Sequence, residues 1–537
     1  MKININYELD TNKDIINQIL EHRGLDVDWV NAGEKDLLDF SVARNYNKGK
    51  ELLLKHINEK SNIGILMDSD ADGITSYSIM KQWLLDKQPQ LNISSIIPEG
   101  KVHGIFEQLI PNDIKLLIVP DASTSESKKH KIMADRGIDV LVLDHHEFLE
   151  EENSWSVIIN PKNPLCPYEN DSLSGAGVVW KFVRQIDLEQ GSEDYKKYTD
   201  LAAIGIVGDV MSLKHKENKA IVNLGMSCIQ NPYFKAYLKS NQRVKDKPLN
   251  PNLISFYMVP LVNSLIRVGG IEEKIELAQA MTGEIPAEPI IAGMVKIKGG
   301  QDRKKDSLVP RIVMGIQKAN REKYKIIFAE SPINLPKSMT GLVAGQLCGM
   351  YLKPTLMGRE EDGFYVGSIR SINDSTIANF KDFCEESGLF EWVAGHQSAC
   401  GFKIKKENLD KFLEYGENHL PPFEKIVECD FKIKGNKREV IIAATQFDDH
   451  VGCDIKPVLI YDEIDVTTKE LEIIGKNQNV LKIQKDDVTY IKFDFKKELP
   501  SSPVTLKIVG KPNLNEWMGT TTPQIMIEEM EFAELEF

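Results

Sequence analysis

Asp68, Asp70 and Asp72 stand at alternate positions in the stretch MDSDADGITS, and three carboxylates this close repel one another unless a cation neutralises them. The arrangement is costly as decoration and suits a site for hard divalent ions. A calcium loop is excluded. D-x-D-x-D-G does open an EF-hand, but the twelfth position counted from Asp68 is Ile79, where the bidentate Glu should stand. Asp144, His145 and His146 follow an apolar run in DVLVLDHHEF, residues 139–148, and Asp121 in VPDAS and Asp209 in AIGIVGDVMSL add two carboxylates. A lone Asp after a strand is usually a helix cap, and a lone His is usually structural. Four separate segments that each deliver carboxylate or imidazole are hard to explain as caps. Asp and His without Cys favour Mn²⁺ or Mg²⁺ over structural zinc, and together they point to a two-metal phosphoesterase.

The elements that must aim these residues follow from the hydrophobic pattern. IGILM ends at Asp68, IKLLIV runs into Pro120 and Asp121, VLVL ends at Asp144, and SVIIN follows, with helical material between the runs. Short continuous apolar runs alternating with helices read as parallel strands buried on both faces, so an open α/β sheet is expected. Ligands in such sheets sit beyond the carboxyl ends of the strands, and three of these runs discharge into Asp at that end. The first 60 residues read as helices, ELLLKHI at 51–57 having apolar positions at helical spacing. NKAIVNLGMSCIQNPYFKAYLKS reads as a linking helix to a second domain, in which helices and strands mix again from about 255 to 420. Beyond Pro421 and Pro422, strand signals alternate with turns as in a small antiparallel barrel.

At 537 residues the chain is long enough for three or four domains. Its 42% hydrophobic content supports real cores and argues against wholesale disorder. No apolar run approaches the ~18 residues of a membrane span. The polar, acidic start MKININYELD lacks the build of a signal peptide, so a soluble, cytoplasmic protein is expected. Seven scattered cysteines without a C-x-x-C pair indicate neither a disulfide frame nor a zinc knuckle, and fit reduced thiols. A net charge of −14 argues against a protein that coats nucleic acid. Residues 296–325 reverse that balance, with ten Lys and Arg against three Asp and Glu. The run reads either as a solvated helix face or as a local track for a phosphodiester backbone.

The series DSDADG, VPDAS, LDHHE and GIVGD resembles the four motifs of the DHH phosphoesterase superfamily, and the wider chain is similar to the RecJ family of bacterial single-strand-specific 5′ to 3′ DNA exonucleases. NPKNPLCPYENDSLSGAGVVWKF is like the family segment ending G-x-G-V-A-F-K, and VPLVNSLIRVGG is like P-x-x-N-A-x-G-R. GLVAGQLCGMYLKPTLM is like G-L-V-A-S-R-L with its following proline. GSIRS and AGHQSACGF are similar to the G-S-x-R-S and G-G-H-x-x-A-x-G-F motifs of the associated DHHA1 domain. GKPNLNEWMGTTTPQIMIEE resembles the late N-x-W-x-G-x-x-x-x-Q stretch of the family's nucleic-acid-binding OB domain.

The resemblance implies a DHH domain at 1–215 with N-terminal helices, a connecting helical segment at 216–254, a second α/β domain of DHHA1 type at 255–422 and an OB-like β-barrel at 423–537. It implies two divalent cations, Mn²⁺ or Mg²⁺. Asp68 and Asp70 hold one, Asp72, His145 and Asp209 the other, and Asp121 bridges them. His146 then meets the scissile phosphate as a charge-assisted donor, and Asp144 orients the imidazoles. Ser368, Arg370, His396 and Arg267 are the expected phosphate contacts. Lys101 is the nearest cation where Gly100 stands in place of the family's Arg. Other departures are DAS for D-C-G, Ala394 for the first Gly of the glycine-rich turn, and Gly345-Gln346 for Ser-Arg; none touches an expected metal ligand. The implied activity is release of 5′-mononucleotides from the 5′ end of single-stranded DNA. A single-strand-binding protein or a helicase is the implied partner, with no membrane. Two readings compete. A DHH phosphodiesterase acting on short oligoribonucleotides or nucleotide phosphates usually lacks a segment like 423–537, and a catalytically silent replication scaffold predicts eroded ligands.

Overall fold

The computed structural model describes residues 2–534 apart from 101–102, 246, 248, 373–378, 422–425 and 518, with the backbone alone at His396, Ile426 and Trp517. The chain packs as two units, residues 1–294 with 426–537, and residues 295–425.

In the first unit, β1 (Lys2–Tyr7) opens the chain with a burial pattern that alternates along KININY, so a strand stands where the sequence reads as helix. β2 (Ile63–Leu66), β3 (Ile93–Ile96), β4 (Leu116–Pro120), β5 (Asp139–Leu143) and β6 (Val157–Ile159) form the expected sheet in the order β3-β2-β4-β5-β6, every pair parallel. Every residue of β2 and β4 is buried, which is why these strands read as unbroken apolar runs. The chain moves to one side of β2 to make β3 and to the other to make β4. The carboxyl ends of β2 and β4 therefore flank the topological switch point, the usual place for a ligand. Helices Ala71–Lys87, Gly175–Glu189 and Thr199–Gly208 pack on one another beside the sheet. The expected connector at 216–254 begins with helix Lys216–Ser227, which packs on Thr199–Gly208 so closely that a Cβ at Gly225 would lie 2.5 Å from Thr199 O. It is part of the first unit. An amphipathic helix shows that it has a buried face without showing which partner covers it.

The second unit holds β7 (Ile327–Glu330), β8 (Thr355–Glu361), β9 (Phe364–Arg370), β10 (Phe390–His396) and β11 (Ala399–Lys405) in the order β10-β11-β9-β8-β7. β7 and β8 are parallel and the other pairs antiparallel. Phe328, Ile369, Phe402 and Phe412 belong to one core cluster, and Ile327, Val343, Leu347 and Met357 to a second that includes helix Thr340–Tyr351. This is a second α/β domain, beginning at 295 where the sequence suggests about 255. The basic run at 296–325 lies largely on helix Glu288–Lys318, with Arg303 and Lys304 exposed.

The C-terminal strands return to the first unit. β12 (Ile426–Lys432), β13 (Ile460–Val466), β14 (Leu471–Ile474), β15 (Val480–Lys485), β16 (Val488–Lys492), β17 (Val504–Trp517) and β18 (Thr520–Ala533) join β1 in the order β1-β12-β13-β17-β18-β16-β15-β14. The expected C-terminal β domain is present, with β13–β17, β17–β18, β15–β16 and β14–β15 antiparallel as the sequence suggests, and it is mixed because β1–β12, β12–β13 and β16–β18 pair parallel. β1 can pair this way because it arrives from the far end of the chain, free of the hairpin connection that makes neighbours antiparallel. Arg23 fastens the N-terminal segment to β12, its Nη2 donating to both carboxylate oxygens of Asp430 at 3.0 Å. The seven cysteines are free. Among the described residues no helix is long and apolar enough to cross a membrane.

Candidate metal centre

Each candidate ligand stands where an element ends or begins. Asp68 follows β2, Asp121 follows β4, and Asp144, His145 and His146 follow β5. Asp70 and Asp72 open helix Ala71–Lys87, and Asp209 closes helix Thr199–Gly208. Ligand atoms of Asp68, Asp70 and Asp121 lie within 4.8 Å of one another, and so do those of Asp72, His145 and Asp209. His145 Nε2 is 3.2 Å from Asp121 Oδ1, 3.5 Å from Asp209 Oδ2 and 3.9 Å from Asp72 Oδ2, so Asp121 stands beside both sets. Asp70 is at the same time the helix N-cap, its Oδ1 accepting from Asp72 N and Gly73 N at 3.0 Å each. Asp72 is clamped by a second helix start, accepting from Gly175 N at 2.7 Å and Ala176 N at 3.1 Å.

The backbone is strained at these positions. Asp121 (φ 62°), Ser123 (φ 78°) and Val210 (φ 57°) adopt left-handed conformations, an outlier for a β-branched residue such as Val. Strain of about 1–3 kcal/mol per residue persists only where neighbours over-determine it. After Val210 they do. Asp454, from the C-terminal segment, accepts from Ser212 Oγ at 2.6 Å and Leu213 N at 2.9 Å, and Trp29 Nε1 donates to Leu213 O at 2.7 Å.

Burial, reinforced by the charges of neighbouring aspartates, pushes Asp72 up to about 6, Asp209 up to about 8 and Asp121 well above the ordinary carboxylate range. Burial also raises Asp68, with His103 opposing it. Asp68 Oδ1 is buried with no hydrogen-bond partner among the described residues. Crowded, desolvated carboxylates with an acceptor left over are what a divalent cation satisfies. A donor set of carboxylate oxygens and one imidazole, without thiolate, fits Mn²⁺ or Mg²⁺.

Asp144 is a hub. Its Oδ1 accepts from His145 N at 2.7 Å, His146 N at 3.2 Å and His146 Nδ1 at 2.8 Å, and its Oδ2 accepts from Thr124 N at 2.9 Å and Thr124 Oγ1 at 2.6 Å. It thus holds the imidazole of His146 but only the main chain of His145. Burial alone would raise the Asp144 carboxyl; the hydrogen bond and charge of His146 outweigh it and hold Asp144 well below the usual range. The same bond, working against burial, raises His146 to about 9.

The expected phosphate contacts are distributed between the units. Arg267, on helix Val259–Val268 of the first unit, is half-buried; burial lowers its pKa and the charge of Asp70 opposes that. Ser368 and Arg370 lie on β9 of the second unit, where Ser368 Oγ is 2.8 Å from Thr340 Oγ1. Arg370 crosses the start of helix Thr340–Tyr351 so closely that a Cβ at Gly341 would lie 2.6 Å from its Nη2. His396 ends β10 with only its backbone described, and Lys101 lies outside the described residues. Sequence reasoning missed His103, Thr124, Asp454 and Asn263, whose Oδ1 accepts from Ala71 N at 3.0 Å. Only Asn263 carried a signal, as the Asn of the P-x-x-N motif.

Fold and site together define a protein of the DHH class. Residues 62–206 match the DHH family, N-terminal domain, and residues 455–529 match the RecJ OB domain. A Bacillus subtilis protein that carries the name "Putative SPbeta prophage-derived single-strand DNA-specific exonuclease YorK" is 32% identical, over 97% of this chain and 96% of its own. The single-stranded-DNA-specific exonuclease RecJ of Bacillus subtilis is 23% identical over 97% of this chain and 68% of its own. The crystal structure of RecJ in complex with Mn²⁺ from Thermus thermophilus shares the fold, with a TM-score of 0.78 over 97% of this chain and 76% of that one at 17% identity. The chain belongs to the RecJ family.

Proposed function

We propose that this protein is a divalent-metal-dependent exonuclease that degrades single-stranded DNA from the 5′ end to 5′-mononucleotides. The observation that carries the reading is the meeting of two donor sets, Asp68 with Asp70 and Asp121, and Asp72 with His145 and Asp209, at the switch point of a parallel sheet in a RecJ-family chain. Mn²⁺ or Mg²⁺ held there would lower the pKa of a bound water and neutralise charge on the oxygens flanking the phosphorus. Asp121, beside both sets, would be the carboxylate available to either ion. His146 is tied to Asp144 through Nδ1 and half exposed, which leaves Nε2 to donate to the scissile phosphate. Arg267, Ser368, Arg370, His396 and Lys101 are the proposed phosphate contacts, the guanidinium groups binding bidentately.

The RecJ OB match at 455–529 supports a grip on single strands and weighs against an enzyme of short oligoribonucleotides. Every expected ligand position is filled, which weighs against a silent scaffold. The cytoplasm is the proposed compartment, and a single-strand-binding protein or helicase the proposed partner. The test is digestion of 5′- and 3′-labelled single-stranded DNA, duplex DNA and RNA with Mn²⁺ or Mg²⁺. Early release of 5′-labelled mononucleotide from single-stranded DNA, abolished by Asp121→Ala, is expected. Persistent activity in Asp121→Ala sinks the metal assignment, and preference for two- to five-nucleotide RNA sinks the substrate.

A further inference from the structure

Asp68 meets different surroundings at its two oxygens. Oδ1 is the buried acceptor without a hydrogen-bond partner among the described residues, whereas Oδ2 lies 2.6 Å from Nδ1 of His103. His103 comes from the loop after β3, a segment to which the sequence assigns no metal role. Its side chain is 49% exposed while that of Asp68 is 1% exposed, so the imidazole sits at the mouth of the buried site. The loop is fastened on both flanks of His103. On one side Lys274, buried on helix Ile271–Met281, donates through Nζ to Gly100 O at 2.6 Å and Pro98 O at 3.2 Å. Ser69, next to Asp68, adds a bond from Oγ to Gly100 O at 3.4 Å. On the other side Glu126 accepts from Ile105 N at 2.9 Å, and a Cβ at Gly104 (φ 83°) would lie 2.5 Å from its carboxylate oxygens. Position 103 is therefore set by the framework.

We propose that His103 is a positioning residue for the ion held by Asp68, Asp70 and Asp121: it ties down Asp68 Oδ2 so that Oδ1 is presented to the ion. The proposal rests on the two-ion reading above. It inverts the common arrangement in which a carboxylate orients a metal-bound imidazole. The ligand atoms of Asp68, Asp70 and Asp121 converge within 4.8 Å as a set to which His103 does not belong. A carboxylate with one oxygen tied is biased toward ligation through the other. That suits the octahedral demand of Mg²⁺ and removes the two-oxygen mode that Ca²⁺ also uses.

Full-length wild type, H103A, H103N and H103Q are titrated with Mn²⁺ and Ca²⁺ at one fixed pH, by calorimetry and by the electron paramagnetic resonance of free Mn²⁺, with thermal melts alongside. Two Mn²⁺ per chain are expected in all. H103A should weaken one site about 10-fold or more and leave the other unchanged. The same variant should narrow the Mn²⁺-to-Ca²⁺ affinity ratio, and H103N, which keeps an N–H donor, should recover part of both. H103N and H103Q carry the comparison if H103A does not fold. Unchanged affinity at both sites in H103A overturns the proposal, as does pulsed-resonance coupling of bound Mn²⁺ to two imidazole nitrogens, which makes His103 a ligand. A wild type that binds no Mn²⁺ overturns the two-ion reading instead.

Discussion

Gly205→Ala tests whether the site depends on helix packing at the level of single atoms. A Cβ at Gly205 would lie 2.3 Å from Asp72 Oδ1, 2.4 Å from the Ala176 side chain and 2.9 Å from Thr75 Oγ1, against the 3.4 Å at which ordinary contact begins. The added methyl must displace something by about 1.1 Å. Ala176 also donates its N–H to Asp72, so the methyl pushes at once on a proposed ligand and on the helix start that clamps it. Overpacking of this kind destabilises by about 1–3 kcal/mol. A misplacement of about 1 Å at reacting groups lowers rate by about 10²-fold. Both are expected: a lower melting temperature, and slower release of labelled mononucleotide with weakened Mn²⁺ binding by calorimetry. Gly315→Ala is the control, since a Cβ there meets nothing within 4 Å. A Gly205→Ala protein with wild-type melt, Mn²⁺ affinity and rate would refute the inference that these helices approach each other through Asp72.

Asp144→Asn turns an amide N–H₂ toward the donors of either Thr124 or His146; loss of about 1–3 kcal/mol per donor left unsatisfied is expected, and an unchanged thermal melt contradicts the hub. Asp454→Ala frees the turn after Asp209, and weakening of one of two Mn²⁺ sites by about 10-fold is expected; superimposable isotherms for variant and wild type exclude that coupling. Burial and the neighbouring Lys219 charge hold His450 down to about 4, so the unfolded chain binds the proton more readily. Stability is therefore fully present above the ordinary histidine value near 6.5 and is lost as pH falls from there toward 4, a decline that His450→Gln should flatten in pH-dependent denaturant melts. Mn²⁺ at about 100 times its Kd should raise stability by about 2.7 kcal/mol per site, reversed by chelation; a melt indifferent to Mn²⁺ argues against binding to the folded site.

What was legible in the sequence was local. IGIL, LLIVP and DVLVL announce buried parallel strands because both faces of each are covered, and the aspartates at their ends announce the edge where a ligand sits. The non-local parts were not. KININY is six residues long, and nothing in it says that its partner is Ile426–Lys432, some 420 residues away. Asp454 follows Cys453 in an unremarkable turn, yet it steadies the segment behind Asp209 because the C-terminal strands fold back onto the first unit. His103 reads as a loop histidine until Lys274 and Glu126 fix the loop around it.

Local signals also fail to separate a cap from a ligand, because the same carboxylate can be both. A carboxylate offers about four lone-pair sites, so counting donors on each oxygen separates the roles. Asp144 takes five hydrogen bonds and has no capacity left, which makes it a scaffold for His146 and Thr124. Asp70 spends Oδ1 on the two N–H groups of the helix it caps, and Asp72 spends one site on each oxygen, so both retain capacity toward the centre of the cluster. Asp68 keeps a whole buried oxygen. Under the proposed function, the run DVLVLDHHEF is therefore a capped strand and a catalytic element at once. Its aspartate is saturated and positions, and its first histidine stands 3.2 Å from Asp121 in the metal set. Its second histidine, held by that saturated aspartate, is half exposed and would meet the substrate.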